Sequence, residues 1–159
     1  MKDPHTQQIT QVPLLDVNRG NQLDAQAIQD AIKGVTDSGR FLFGPDCQKL
    51  EESIAKLCYV DHAVGCASGS DALLLSLMAL GIGPGDEVAL PSFTFFATAS
   101  AVTRLGARPV FVDIDRQTFN MDPACLREVI TSSTKAVIPV HLFGQCADME
   151  EICSIATDH

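Results

Sequence analysis

The stretch Gly65-Cys66-Ala67-Ser68-Gly69-Ser70-Asp71-Ala72-Leu73 follows an apolar run, Tyr59-Val60 with Ala63-Val64, and leads into a nearly all-apolar helix ending near Leu80. A short strand that enters a Gly/Ser turn and then a helix aims backbone N–H groups at one point, and the positive end of the helix dipole faces the same point. Such a point seats a phosphate. Ser68 and Asp71 have the S-x-x-D spacing of a capping box, which makes Ser68 the expected N-cap. Two readings fit the stretch equally: a phosphate seat, or a capped buried helix with no ligand.

Two nucleotide-binding motifs fail on the same residues. A Walker A loop requires a Lys that is missing here. A dinucleotide fingerprint requires G-x-G-x-x-G, whereas Gly65 and Gly69 stand four apart. A phosphate at this turn would be held by hydroxyl and backbone donors, which suits a small phosphorylated cofactor better than a triphosphate.

Working outward, strands and helices alternate. A strand over Ala63–Cys66 feeds the helix from Gly69 to Leu80, and Gly81 to Asp86 forms a turn. Glu87 to Leu90 is a predicted strand, followed by a helix from about Phe95 to Leu105. Pro109 to Ile114 reads as a buried strand, Asp122-Pro123 caps a helix to about Ile130, and Ala136 to Val140 reads as a strand. Asp148, with Glu151 three residues on, caps a last helix through Ala156. Repeated β–α units of this length imply an α/β fold, a mostly parallel sheet with flanking helices. Before it, Leu23, Ala27, Ile28, Ala31, Ile32 and Val35 follow helical spacing until Asp37-Ser38-Gly39. Pro45 opens a second helix whose apolar face is Leu50, Ile54, Leu57 and Cys58. Residues 1–20 read as a loose extension, apart from the patch Val12-Pro13-Leu14-Leu15.

In an open parallel sheet, ligands sit beyond the carboxyl ends of the strands. That rule gathers Ser68–Asp71, Ser92–Phe95, Asp113–Asp115 and His141 on one rim. Pro91-Ser92-Phe93-Thr94-Phe95-Phe96 brings three aromatics in four residues to a strand end. One could stack on a flat ring; as a cluster they read first as core, Phe93 and Phe96 in particular. Asp113 and Asp115 read as acceptors of backbone N–H bonds in the next turn rather than as an acid/base pair. His141 is open between a ligand contact and a hydrogen-bonded packing role. The five lysines, 2, 33, 49, 56 and 135, read as surface positions away from the rim.

Composition narrows the function classes. The 159 residues are one-domain length, 46% hydrophobic and 19% charged, with a net charge of −9. So acidic a chain disfavours nucleic acid and anionic membranes as partners. No two of the six cysteines have C-x-x-C spacing, so no zinc site is expected. Most, such as Cys58 and Cys153, read as small core residues with reduced thiols. Met1 to Gln11 lacks an apolar signal-peptide core, and no apolar run spans a membrane; a cytoplasmic protein is expected.

Five motifs in order resemble one family. They are Ala67-Ser68-Gly69-Ser70-Asp71-Ala72-Leu73, Gly81-Ile82-Gly83-Pro84-Gly85-Asp86-Glu87-Val88, and Pro91-Ser92-Phe93-Thr94-Phe95-Phe96-Ala97-Thr98-Ala99. Then come Gly106 to Asp115, and Thr134 to Gly144 with Ala147-Asp148-Met149 after it. Together they are similar to the DegT/DnrJ/StrS sugar aminotransferases. The resemblance implies part of an aspartate-aminotransferase-like (fold type I) large domain and the cofactor pyridoxal 5′-phosphate. It implies amino transfer, often from glutamate, to the keto group of a nucleotide-linked sugar, in a homodimer. It puts the cofactor phosphate at Gly69, Ser70 and nearby backbone, with Ser70 where Thr is commoner, puts Phe95 at the ring-stacking position, and counts Ser68 and Asp71 among the cofactor-binding residues. The family's Schiff-base lysine and the Asp that pairs with the pyridinium nitrogen are expected beyond His159. On this reading residues 1–20 are an extension, 21–62 N-terminal helices, and 63–159 an incomplete cofactor-binding domain that is inactive alone. A family dehydratase, with histidine for the lysine, and a catalytically dead binding module are the alternatives.

Overall fold

The computed structural model describes residues 15–16 and 18–159. The polar start, Lys2 and most of the Val12–Leu15 patch lie outside the described residues. The chain divides into two compact units, Met1–Gly65 and Cys66–His159.

The first unit is helical. Where a loose chain is expected, a single turn α1 (Asn18–Asn21) forms, started by the Asp16 carboxylate, which accepts the Asn18 N–H at 3.2 Å. Helix α2 (Ala25–Ser38) runs three residues past Val35 and ends at Gly39, whose φ of 66° is the left-handed cap that glycine adopts without strain. Helix α3 (Pro45–Leu57) begins on Pro45 as expected, where a missing N–H costs nothing. Both helices are amphipathic, yet Ala55 is their one buried side chain.

The second unit is a three-layer sandwich. Strands β1 (Glu87–Pro91), β2 (Arg108–Val112) and β3 (Thr134–Val137) pair in parallel in the order β2-β1-β3. Central β1 is buried at every residue because helices cover both faces. Its side chains alternate accordingly. Val88 and Leu90 join Leu77 of α4 (Gly69–Ala79) with Ala101 and Val102 of α5 (Ala97–Arg104). Ala89 joins Leu126 of α6 (Pro123–Val129) with Ile152 and Ile155 of α7 (Met149–Asp158).

Several expectations are corrected. Ala63–Cys66 is irregular chain, not a strand: among the described residues no strand pairs with it, and unpaired backbone does not make sheet. The strand expected over Ala136–Val140 is shifted to Thr134–Val137. Ile138 still donates its N–H to the Ala89 carbonyl at 2.8 Å, but Pro139 has no N–H to continue the ladder. The strand expected to reach Ile114 ends at Val112, and Ile114 instead bridges Met121 antiparallel. Helix α5 starts two residues late, at Ala97. A 3-10 turn, Leu142–Gly144, was not foreseen.

The thiols and aromatics differ too. Cys47, Cys58, Cys66, Cys146 and Cys153 are exposed and so are not core residues, whereas half-buried Cys125 packs against the core. Phe93 and Phe96 are 48% and 78% exposed.

Candidate functional site

The start of α4 is built by its cap. Ser68 Oγ accepts the Asp71 N–H at 3.1 Å and donates to Asp71 Oδ2 at 3.0 Å, so the box closes through the hydroxyl. The Ala72 N–H goes to the Ser68 carbonyl. The N–H groups of Gly69 and Ser70 and the Ser70 hydroxyl then have no acceptor or donor among the described residues. Open space lies where a Cβ on Gly69 would project.

These residues border an open cavity of about 540 Å³, within the range of small-molecule sites. Gly69, Ser70 and Leu73 of α4 form one wall. Thr94, Phe95 and Thr98 form a second, with Phe95 76% exposed and the two threonine hydroxyls 3.0 Å apart. The chain from Ile138 to His141 forms the third. Of the expected residues, Gly69, Ser70, Phe95 and His141 therefore meet at one cavity; Ser68 and Asp71 support it as cap and partner without lining it. Lys135, the single lysine of residues 66–159, is exposed and not part of the lining.

Of the two carboxylates after β2, Asp115 does what a turn residue does, whereas Asp113 accepts the Asp122 N–H with its backbone carbonyl and not, as expected, with its side chain. Asp115 Oδ1 accepts the N–H groups of Thr118 at 2.8 Å and Gln117 at 3.0 Å. Those two bonds, with the Thr118 hydroxyl, hold its carboxyl below the ordinary value of 3.8. His141 has the hydrogen-bonded packing role, its Nδ1 accepting the Ala147 N–H at 3.0 Å, and it also lines the cavity.

A charged pair and one buried amide escaped the sequence reading. Glu87 opens β1, buried, and Arg108 opens β2 directly beside it in register. Thr131 Oγ1 donates to Glu87 Oε2 at 2.8 Å, and Arg108 donates to Oε1. The Thr131 hydroxyl first, then Arg108, hold the Glu87 carboxyl below 4.5, against the opposing effect of burial. A Glu and an Arg at matching ends of consecutive strands was the available signal. Asn120 is the amide, bonded to residues 22 to 26 positions away, for which spacing carries no signal.

The sequence profile of the DegT/DnrJ/EryC1/StrS aminotransferase family matches residues 22–159. The chain belongs to this family. Its α/β architecture is that of the family's aspartate-aminotransferase-like large domain. A "Pleiotropic regulatory protein" of Geobacillus stearothermophilus is 49% identical over 93% of this chain and 40% of its own length. The UDP-2-acetamido-2-deoxy-3-oxo-D-glucuronate aminotransferase of Pseudomonas aeruginosa is 43% identical over 93% of this chain and 41% of its own length. Among solved structures of the family, NtdA from Bacillus subtilis with bound cofactor PMP matches with a TM-score of 0.90 and 37% identity, over 96% of this chain and 35% of that one. The DegT/DnrJ/EryC1/StrS chain described here thus spans about 40% of the length of the curated relatives it matches. No described helix is long and apolar enough to cross a membrane.

Proposed function

We propose that these residues are the phosphate and ring-stacking side of a pyridoxal 5′-phosphate site, in an aminotransferase acting on a nucleotide-linked keto-sugar. The observation that carries this reading is the meeting, at one cavity, of the unpaired donors of Gly69 and Ser70 with the exposed ring of Phe95. A helix N-terminus with spare N–H groups favours a phosphate, and an aromatic face across the cavity favours a flat heterocycle. The cofactor supplies the electron sink for moving an amino group. This chain's part is to anchor the phosphate, with Ser68 and Asp71 holding the turn, and to orient the ring against Phe95. The family resemblance puts the lysine and the pyridinium-pairing Asp outside these 159 residues, so the residues taken alone bind without transaminating. The sugar substrate is read across from relatives such as the Pseudomonas enzyme, and glutamate as the amino donor from the family resemblance. A cytoplasmic homodimer fits the six free thiols and the uncovered apolar faces of α2 and α3.

The test is pyridoxal 5′-phosphate titration, read by absorbance, of the protein that carries this chain. Ser70→Ala should weaken binding at least about tenfold, the loss of one hydrogen bond to a charged group. Phe95→Ala should weaken it and shift the cofactor's absorbance. Parent-like titrations for both variants would remove the site assignment.

A further inference from the structure

One wall of the cavity, the chain from Ile138 to His141, carries none of the residues assigned above to the phosphate or the ring. His141 lines it. Because Nδ1 accepts the Ala147 N–H, it carries no proton, and the ring proton sits on Nε2. No described residue bonds to Nε2. The turn that follows is strained at Phe143, a non-glycine residue with φ 54°. A bulky side chain in the left-handed region persists only where the surroundings over-determine it.

Asn120 supplies that constraint. It is 3% exposed. Its Oδ1 accepts the Leu142 N–H at 3.0 Å, and its Nδ2 donates to the carbonyls of Gln145 and Cys146, each at 3.2 Å. The three bonds grip both ends of the turn. Asn120 is itself fixed, its carbonyl accepting the Asp115 N–H at 2.9 Å and its N–H donating to Thr118 Oγ1 at 3.3 Å.

We propose that Asn120 is a positioning residue that, through the turn 142–146, holds His141 as an Nε2–H donor on the cavity wall, where it takes an oxygen of the bound ligand. The ligand rests on the cofactor reading above; the clamp does not.

Nitrogen NMR of ¹⁵N-histidine-labelled protein tests both parts, with His141 assigned by its loss in His141→Gln. The unmutated protein should show His141 as the Nε2–H tautomer with a bonded Nδ1. An Nδ1–H signature there overturns the proposal without any variant. Folded Asn120→Ala should lose that signature. Asn120→Asp keeps the acceptor for Leu142 and loses both donors, and should fall between. An unchanged signature in folded Asn120→Ala overturns the clamp. Pyridoxal 5′-phosphate affinity should drop roughly tenfold in Asn120→Ala and His141→Ala, as for one lost hydrogen bond. His141→Gln, whose amide N–H can replace Nε2–H, should recover part of it. Unchanged affinity in His141→Ala overturns the donor role. Unmutated protein that binds no pyridoxal 5′-phosphate, while the His141 signature still follows Asn120, upholds the clamp and rejects the cofactor reading.

Discussion

Helices α2 and α3 in residues 15–65, and α5 and α7 in residues 66–159, have equally legible apolar stripes but opposite fates. Ile28, Ile32, Leu50, Ile54 and Leu57 are exposed, whereas Ala101, Val102, Ile152 and Ile155 are buried against the sheet. An apolar stripe states which face of a helix gains from cover. It does not provide the cover. In the second region β1 does, because a parallel strand offers apolar side chains to both faces at once.

The sharpest way to break this contrast is to delete apolar atoms from each region. Leu90→Ala should cost about 2–5 kcal/mol, since Leu90 is fully buried between layers. Leu50→Ala on the open face of α3 should stay within about 0.5 kcal/mol. Urea denaturation measures both. Similar losses would mean that the α3 face is covered in solution.

Acid gives a second, smaller separation. The folded Glu87 carboxyl titrates below its ordinary value of 4.5, so its stabilisation is complete above that value and is lost as pH falls through the depressed one. Among the described residues Glu87 is the one buried carboxylate, and it ties β1 to Arg108 of β2 and to Thr131. Stability should therefore decline below about pH 4.5, and Glu87→Gln should flatten that decline while lowering stability at neutral pH. A Glu87→Gln curve parallel to the parent's would show that the carboxylate does not couple the strands to pH.

Caps give the finest distinction. Asp122 accepts the Ala124 N–H at 2.8 Å, whereas Asp24, at the start of α2, makes no side-chain cap bond. Asp122→Ala should cost about 0.5–2 kcal/mol and Asp24→Ala only a few tenths. Thermal melts that ranked the two the other way would place a working cap on α2.

How much was legible follows the range of each interaction. Ser68, Asp122 and Asp148 were readable as caps because each bonds an N–H two or three residues ahead. Pro45, Gly39 and the turn role of Asp115 were readable for the same reason. Gly69, Ser70 and Phe95 were named before the structure brought them to one cavity. The strand at Ala63–Cys66 was misread because apolar, β-prone residues become a strand only beside a partner. Phe93, Phe96 and the cysteines were misread because apolar character does not report whether atoms are available to cover it.

The sequence by itself determined the capped starts of α4, α6 and α7, the alternation that makes a parallel sheet, and the Gly/Ser turn offered to an anion. All depend on residues within a few positions of one another, where capping and periodicity operate. Only the tertiary structure decided the order β2-β1-β3, the pairing of Glu87 with Arg108, and the hold of Asn120 on the turn after His141. Those contacts join residues more than twenty positions apart. No local pattern specifies such a contact, because its partner is set by how the layers pack.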